Sequence, residues 1–138
     1  MENTRRILCL FGVALISLRT PTAMGAEDYL CDVTGAGRAE ASGEFETSYF
    51  LKLVIGRQFS VDRKTGVMSG TLKNNYVQPP KLIDRGSKDN AFKVVTMDVF
   101  ENTTNIYVLI IDEYIDGRNK PFVFLKNGSV YNGYCRHF

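Results

Sequence analysis

The sequence predicts an all-β protein, a small antiparallel meander of seven or eight strands closed as a barrel. Three observations support this fold class. Short apolar runs alternate with polar residues, and Gly, Asn and Pro residues that favour turns separate these runs at short intervals. A cysteine near each end of the mature chain also indicates that the first and last strands lie side by side, which would close the sheet and hide its edges.

Residues 1–26 predict a secretory signal peptide that lies outside this domain. Arg5 and Arg6 form a short basic region, and a twelve-residue apolar run follows at 7–18. Small residues then lead to a cleavage site after Ala26 or after Gly25, of which Ala26 is preferred. Twelve helical residues rise about 18 Å, whereas the bilayer core is about 30 Å thick, so a membrane anchor is disfavoured. The two arginines leave both the general and the twin-arginine export routes open.

The charge of the mature chain excludes two classes of partner. The whole sequence has 17 basic and 15 acidic residues, and removal of the signal leaves fourteen of each in residues 27–138. Nucleic-acid binding and adhesion to anionic membranes both need a positive field, so neither is expected. Residues 27–138 contain no second apolar span, so stable membrane insertion is not expected either. Residues 27–138 are long enough for one domain with its own core, located in the periplasm or outside the cell.

Cys31 and Cys135 are the cysteines that remain once Cys9 leaves with the signal. An even number in an exported chain predicts a disulfide, which would bring the first and last strands within about 6 Å of each other. Two cysteines and a single histidine are too few ligands for a structural metal site, so the sequence predicts no metal and no cofactor.

The first half of the mature chain predicts a strand, a loop and a short helix. Residues 29–33 alternate and point Cys31 inward, whereas the Gly-rich segment 35–48 predicts a loop. Residues 48–55 fit a helical face and also a strand face. Ser48 or its neighbour as an N-cap and a glycine at the end favour one short helix, placed to plug one end of the barrel.

From residue 57 onwards, short strands follow one another. They are predicted at residues 59–61, 67–72, 81–84, 91–100, 106–115, 121–126 and 130–136. Gly66 and Asp116-Gly117 mark turns, and Asn127-Gly128 predicts a type I′ hairpin turn, which needs positive φ at both central residues. Pro79-Pro80 interrupts the chain and favours an edge position for the strand that follows.

The strand at 106–115 is apolar on both faces. One face shows Ile106, Val108 and Ile110. The other shows Tyr107, Leu109 and Ile111. A strand of this kind is expected to be covered on both sides. Either residues 36–55 pack over the second face, or a partner does.

The sequence predicts a protein that is not an enzyme. The single histidine, His137, stands next to the end of the chain and is interpreted as a solvated terminal residue. No nucleophile elbow, zinc-protease motif or phosphate-binding loop occurs in the sequence. Asp112 and Tyr114 share a face of the predicted strand and form a weak candidate for a polar site in the barrel mouth. Asp62-Arg63 and Asp84-Arg85 are interpreted as turn caps and surface ion pairs.

Three segments resemble a group of small exported proteobacterial proteins whose function is uncharacterised. They are Phe59–Gly70, Lys120–Leu125 and the closing Gly133-Tyr134-Cys135. The resemblance covers most of the mature chain and implies export and a β fold, but no activity. The Tyr29-x-Cys31 start and the Cys135 end are similar only in architecture to periplasmic inhibitors of c-type lysozyme, which are small barrels. Their Trp-containing segment has no counterpart in this Trp-free chain, so no inhibitory residue is carried over.

These observations together predict a periplasmic or secreted, non-catalytic binding module. Its partner would be a protein, a glycan or a small apolar ligand, held at a barrel end or by a loop. The alternative is an accessory or structural envelope protein that self-associates through strand 106–111. A lysozyme-inhibitor-like protein and an enzyme are less favoured.

Overall fold

The computed structural model describes residues 27–138, so the predicted signal peptide lies outside the described residues. Nine strands and one helix occur in this part of the chain, and every strand pair is antiparallel, which confirms the all-β prediction. The elements are β1 (Tyr29–Ala39), β2 (Phe45–Glu46), α1 (Tyr49–Lys52), β3 (Gln58–Val61), β4 (Met68–Gly70), β5 (Lys81–Ser87), β6 (Asn90–Val99), β7 (Thr104–Ile111), β8 (Lys120–Lys126) and β9 (Ser129–His137).

The sheet is an open half-barrel, and the prediction of a closed barrel is wrong. Its strand order is β4-β3-β1-β9-β8-β7-β6-β5, with β2 paired to the far end of β1. The first and last strands do meet, as predicted, but β1 also pairs with β3 on its other side. Their junction therefore lies in the middle of the sheet, and β4 and β5 are left as two edges.

Side chains fill the open side between β4 and β5. Leu72, in the connection between these strands, is part of the buried core. Gly66, in the β3–β4 turn, lies so close to Val94 of β6 that an added Cβ would come within 2.7 Å of the valine Cγ2 atom. The same connection contains Pro79 and Pro80, which have no N–H to donate to a strand ladder. Packing therefore replaces backbone pairing on this side.

The concave face of the sheet carries a filled core. Eleven of its members come from alternate positions of β1, β3, β6, β7 and β8, and each is at most 2% exposed: Tyr29, Cys31, Val33, Phe59, Val61, Phe92, Val94, Leu109, Ile111, Phe122 and Phe124. The rings of Phe59 and Phe122 pack edge to face with centroids 5.2 Å apart. This arrangement is the close packing expected of a protein interior.

The predicted disulfide between Cys31 and Cys135 is confirmed. The two residues stand directly opposite each other in the β1–β9 register and are bonded to each other. The bond therefore crosses the centre of the sheet and joins the two strands at the ends of the mature chain.

Strand β1 runs further than the sequence predicts, because two glycines allow neighbouring groups to approach its backbone. A Cβ at Gly35 would lie 2.5 Å from the Asn132 side-chain oxygen, and one at Gly37 would lie 2.2 Å from the Phe45 ring. The segment predicted as a loop at 35–48 thus continues β1 to Ala39 and adds β2, after a register shift between Val33 and Gly35.

Three local predictions have mixed outcomes. The short helix is confirmed as α1, although Ser48 caps it without a side-chain hydrogen bond. The β8–β9 hairpin is confirmed, but Asn127 (φ 53°) has positive φ and Gly128 does not, so the type I′ geometry is wrong. Strand β7 ends at Ile111 instead of residue 115.

Within residues 27–138, no helix has the length and hydrophobicity needed to cross a bilayer.

Candidate functional site

Asp112 and Tyr114, the residues predicted as a weak polar site, lie in the turn that follows β7. Asp112 is half-buried and Tyr114 is exposed. The Ile115 amide donates to the Asp112 carbonyl in this turn, so the two side chains no longer share a strand face. Their role as a polar site stays a prediction. The residue between them, Glu113, is the one whose side chain enters the protein.

Glu113 accepts hydrogen bonds from two residues that are far from it in the sequence. The Tyr29 hydroxyl donates to its Oε2 atom over 2.8 Å, and the His137 Nε2 atom lies 2.9 Å from its Oε1 atom. An Arg63 guanidinium nitrogen stands 3.9 Å from the same Oε1 atom. The Glu113 side chain is only 11% exposed. We call these four residues the Glu113 cluster.

The β1–β9 pairing assembles most of the Glu113 cluster. Tyr29 begins β1, His137 ends β9, and the two residues face each other in the register with their rings 4.8 Å apart. Arg63 comes from the β3–β4 turn, where it also donates to the Arg85 carbonyl of edge strand β5 over 3.4 Å. The interpretation of His137 as a solvated terminal residue is therefore wrong.

Electrostatics hold Glu113 charged and Tyr29 protonated. Burial alone would raise the pKa of Glu113, but the hydrogen bonds from Tyr29 and His137 and the charge of Arg63 outweigh it, and the pKa lies below its ordinary value. Burial, together with the hydrogen bond to the Glu113 carboxylate, raises the pKa of Tyr29 well above its ordinary value.

These contacts make the Glu113 cluster a clamp at one end of the half-barrel. Both carboxylate oxygens are already engaged with protein groups, and the contacts join β1, β9, the β3–β4 turn and edge strand β5. Elsewhere, the carboxylate of Asp62 caps its turn through the amides of Lys64 and Thr65, as expected. No three His, Cys, Asp or Glu side chains in residues 27–138 are arranged to hold a metal ion.

The convex face of β5–β8 is apolar, in contrast to the other half of the same face. We call this surface the outer apolar face and define it by Ile83, Val95, Met97, Val99, Ile106, Val108, Ile110, Val123 and Leu125. On β3, β1 and β9 the convex positions are instead mainly polar, with Gln58, Ser60, Asp32, Thr34, Asn132 and Arg136.

The strand register makes the outer apolar face continuous. Val95, Val108 and Leu125 stand side by side on β6, β7 and β8, and this row continues to Val130 on β9. Met97 pairs with Ile106 in the next row. Several side chains of the outer apolar face are open to solvent: Met97 is 55% exposed, Val123 47% and Ile106 41%.

Residues 36–55 do not cover this face. Helix α1 packs against β1 and buries Leu51 in the core. Near the margin of the outer apolar face, Gln78 and Pro79 flank a groove of about 540 Å³ whose floor includes Val95 and Met97. Of the two covers that the sequence left open, residues 36–55 are therefore excluded, and a partner stays a prediction.

A second concave surface lies beside β9. The segment Asp116–Asn119 and the side chains of Tyr134 and Arg136 line an open cleft of about 670 Å³, which we call the polar cleft. Arg136 forms an ion pair with Asp32 across the β1–β9 pair. The Asp32 carboxylate also accepts a hydrogen bond of 2.6 Å from the Gln58 side chain.

Sequence reasoning missed both the Glu113 cluster and the polar cleft. No motif joins Glu113 to His137, because the turn after β7 decides which carboxylate points inward. The disulfide offered one usable signal. An antiparallel pair that places Cys31 opposite Cys135 also places Tyr29 opposite His137 two residues away.

Comparison of the chain with protein-family models, with curated proteins and with solved structures gives no match. The resemblance to small exported proteins and the architectural similarity to lysozyme inhibitors therefore stay predictions. Function is inferred from the geometry described above.

Proposed function

We propose that residues 27–138 act as an exported, non-catalytic binding module, and that the outer apolar face binds a protein. The observation that carries this proposal is the aligned, half-buried row of Val95, Val108 and Leu125 across three neighbouring strands. The exposed side chains of Met97, Ile106 and Val123 flank this row on the convex side. A contiguous apolar surface of this kind marks an interaction site more often than chance exposure does.

The contrast within one sheet supports this proposal. When an antiparallel sheet packs one face on a core, the other face is normally polar because water contacts it. The half of the convex face formed by β3, β1 and β9 follows this rule, with residues such as Gln58, Ser60 and Thr34. The half formed by β5–β8 does not, so the departure is local and calls for a local partner.

The shape of the surfaces favours a protein over a small apolar ligand. The concave interior, where such a ligand would be enclosed, is occupied by side chains such as Phe92, Leu109 and Phe124. The outer apolar face is a broad convex surface that matches the apolar face of another protein. Lys81 and Lys93 stand in register beside Val95 and Ile110 at its margin, and Asp84 stands opposite Lys93. Two positive charges against one negative charge favour a partner with an acidic rim.

Self-association through strand β7 is the second candidate, because Ile106, Val108 and Ile110 all lie on this open face. An isologous dimer would bring Lys81 and Lys93 of both copies into one interface. That arrangement gathers like charge, so a different partner protein is favoured. Light scattering separates the two: a mass that doubles with rising concentration supports self-association and contradicts the hetero-partner proposal.

The binding experiment uses residues 27–138 as bait for proteins from the periplasm and medium of the source cells. We expect a partner that the native domain retains and that the Met97→Lys and Val123→Lys variants lose by at least about tenfold, because each places a charge in the apolar contact. Cross-linking mass spectrometry should place the partner on β6–β8.

A matched control comes from the polar half of the same convex face. Thr34→Lys adds the same side chain at an exposed position of β1 and should leave partner recovery unchanged. Equal recovery by all three lysine variants, or no partner at all in repeated experiments, would reject the outer apolar face as the binding surface. Circular dichroism establishes that each variant is folded.

Export has its own test, in which the full chain is expressed in the source cells. We expect protein from the periplasm or medium to begin at Glu27, since cleavage after Ala26 is the predicted processing step. Full-length protein that stays in the cytoplasm would contradict the proposal.

A further inference from the structure

The polar cleft has one wall that the core of the sheet holds in place. Tyr134 and Arg136 are the two neighbours of Cys135 on β9, and the disulfide ties that position to β1. Behind them, Gln58 donates to Asp32, and Asp32 pairs with Arg136. Three adjacent strands thus position the Arg136 guanidinium before any ligand arrives, which is the condition for a specific site.

The opposite wall is a turn that the protein also anchors. The Lys120 ammonium group donates to the Glu113 and Ile115 carbonyls, and the Glu113 side chain lies in the Glu113 cluster. Gly117 has φ 100°, and a Cβ added there would meet no atom within 4 Å, so this wall is open to solvent on its outer side. The cleft lies between an anchored turn and a rigid strand.

The groups that line the cleft match one ligand chemistry. Arg136 has five N–H donors, of which the contact with Asp32 uses one nitrogen, and exposed Arg118 forms no ion pair within the described part of the chain. Two guanidinium groups suit a carboxylate. The Asn119 amide and the Asp116 carboxylate suit hydroxyl groups, and the partly exposed ring of Tyr134 offers a flat apolar face.

From this combination we infer that the polar cleft binds an acidic saccharide, a sugar ring that carries a carboxylate. The cleft volume of about 670 Å³ falls within the range of small-ligand sites, which is about 300–1,000 Å³. This site lies on β9 and the β7–β8 turn, whereas the outer apolar face lies on β5–β8. The inference is therefore independent of the proposed protein partner.

Titration followed by NMR tests the inference with glucuronate, glucose and acetate as probes and the disulfide-bonded domain as the protein. We expect glucuronate to shift the amide signals of Arg118, Asn119 and Tyr134 and to bind at least about tenfold more tightly than glucose or acetate. Acetate binding as tight as glucuronate would reduce the cleft to a simple anion site and overturn the saccharide assignment. Absence of shifts at millimolar glucuronate would also overturn it.

Arg118→Gln is the informative variant because its side chain is exposed and takes part in no ion pair with another residue of 27–138. We expect it to weaken glucuronate binding by about tenfold, since it removes a charge-assisted hydrogen bond. Arg57→Gln replaces an exposed arginine outside the cleft and should bind glucuronate as the native protein does. Equal affinity in both variants and the native protein would exclude Arg118 and this site.

Discussion

At the scale of single residues, the Glu113 carboxylate couples stability to pH. It is buried and accepts hydrogen bonds from Tyr29 and His137, and its pKa in the folded protein lies below the ordinary value. Asp32 behaves similarly: the hydrogen bond from Gln58 lowers its pKa, burial opposes this effect, and the Arg136 contact reinforces it. Both carboxylates bind protons more weakly in the folded chain than in the unfolded chain.

Glu113→Gln should lower the free energy of unfolding at pH 7 by about 1–3 kcal/mol, because the amide cannot serve both donors as the carboxylate does. The native contribution is present above the ordinary carboxyl pKa of about 4.3 and is lost as the pH falls through the lower folded value. Between about pH 5 and pH 3, where carboxylates titrate, the variant should therefore lose less stability than the native protein.

Urea unfolding at several pH values measures this difference. Glu101→Gln is the control, because Glu101 is exposed in the turn after β6 and its loss should leave stability unchanged. If Glu113→Gln unfolds with the same pH dependence as the native protein, the Glu113 cluster does not clamp the end of the half-barrel.

At the scale of the elements, the β1–β9 pair depends on a close backbone approach. Gly133 of β9 lies so near β1 that an added Cβ would be 2.0 Å from the Asp32 carbonyl oxygen and 2.9 Å from the Phe122 ring. Backbone atoms cannot move aside as a side chain can. The two strands would have to separate, although the disulfide and the filled core hold them together.

Gly133→Ala should therefore lower the free energy of unfolding by at least about 3 kcal/mol, in the range of severe overpacking. Gly128→Ala is the matched change in the β8–β9 turn, where the nearest atom to an added Cβ is 4.0 Å away. That variant should remain within about 0.5 kcal/mol of the native protein. Denaturant unfolding of the two variants, side by side, checks the contrast, and similar losses in both would argue against the close approach.

At the scale of the whole molecule, the half-barrel has two free edges that it protects in different ways. Edge strand β4 has only three residues. Edge strand β5 carries Lys81, Asp84 and Arg85 and shifts register between Leu82 and Asp84. Short length, charge and bulges all hinder edge-to-edge pairing with another copy. The proposed partner would therefore meet the outer apolar face and not an edge of the sheet.

The disulfide stabilises the whole sheet, because it joins residues 104 positions apart in the sequence. Replacing both cysteines by alanine should lower the free energy of unfolding by about 4–5 kcal/mol in the chain-entropy model. Thermal unfolding with and without dithiothreitol tests this: the reductant should lower the native midpoint towards that of the double variant and leave the variant unchanged. A native midpoint that reductant does not move would mean that the bond contributes little.

The sequence by itself determined the local structure of this protein. Alternating residues predicted most of the strands, Gly66 and Asn127-Gly128 predicted turns where turns occur, and the cysteine count predicted the disulfide. Each of these depends on residues close together in the chain or on a single pairing. They follow from backbone conformation and from the period-two alternation of a strand.

Only the tertiary structure decided how the strands were ordered and which polar groups met. A Cys31–Cys135 bond is compatible with a closed barrel, and also with an open sheet in which the first and last strands meet in the middle. Because β1 pairs with β3 as well as with β9, the sheet is an open half-barrel. The turn after Ile111 brought Glu113 into the protein and left Asp112 and Tyr114 outside the strand. Contacts of this range depend on the packing of the whole core, which no local pattern in the chain encodes.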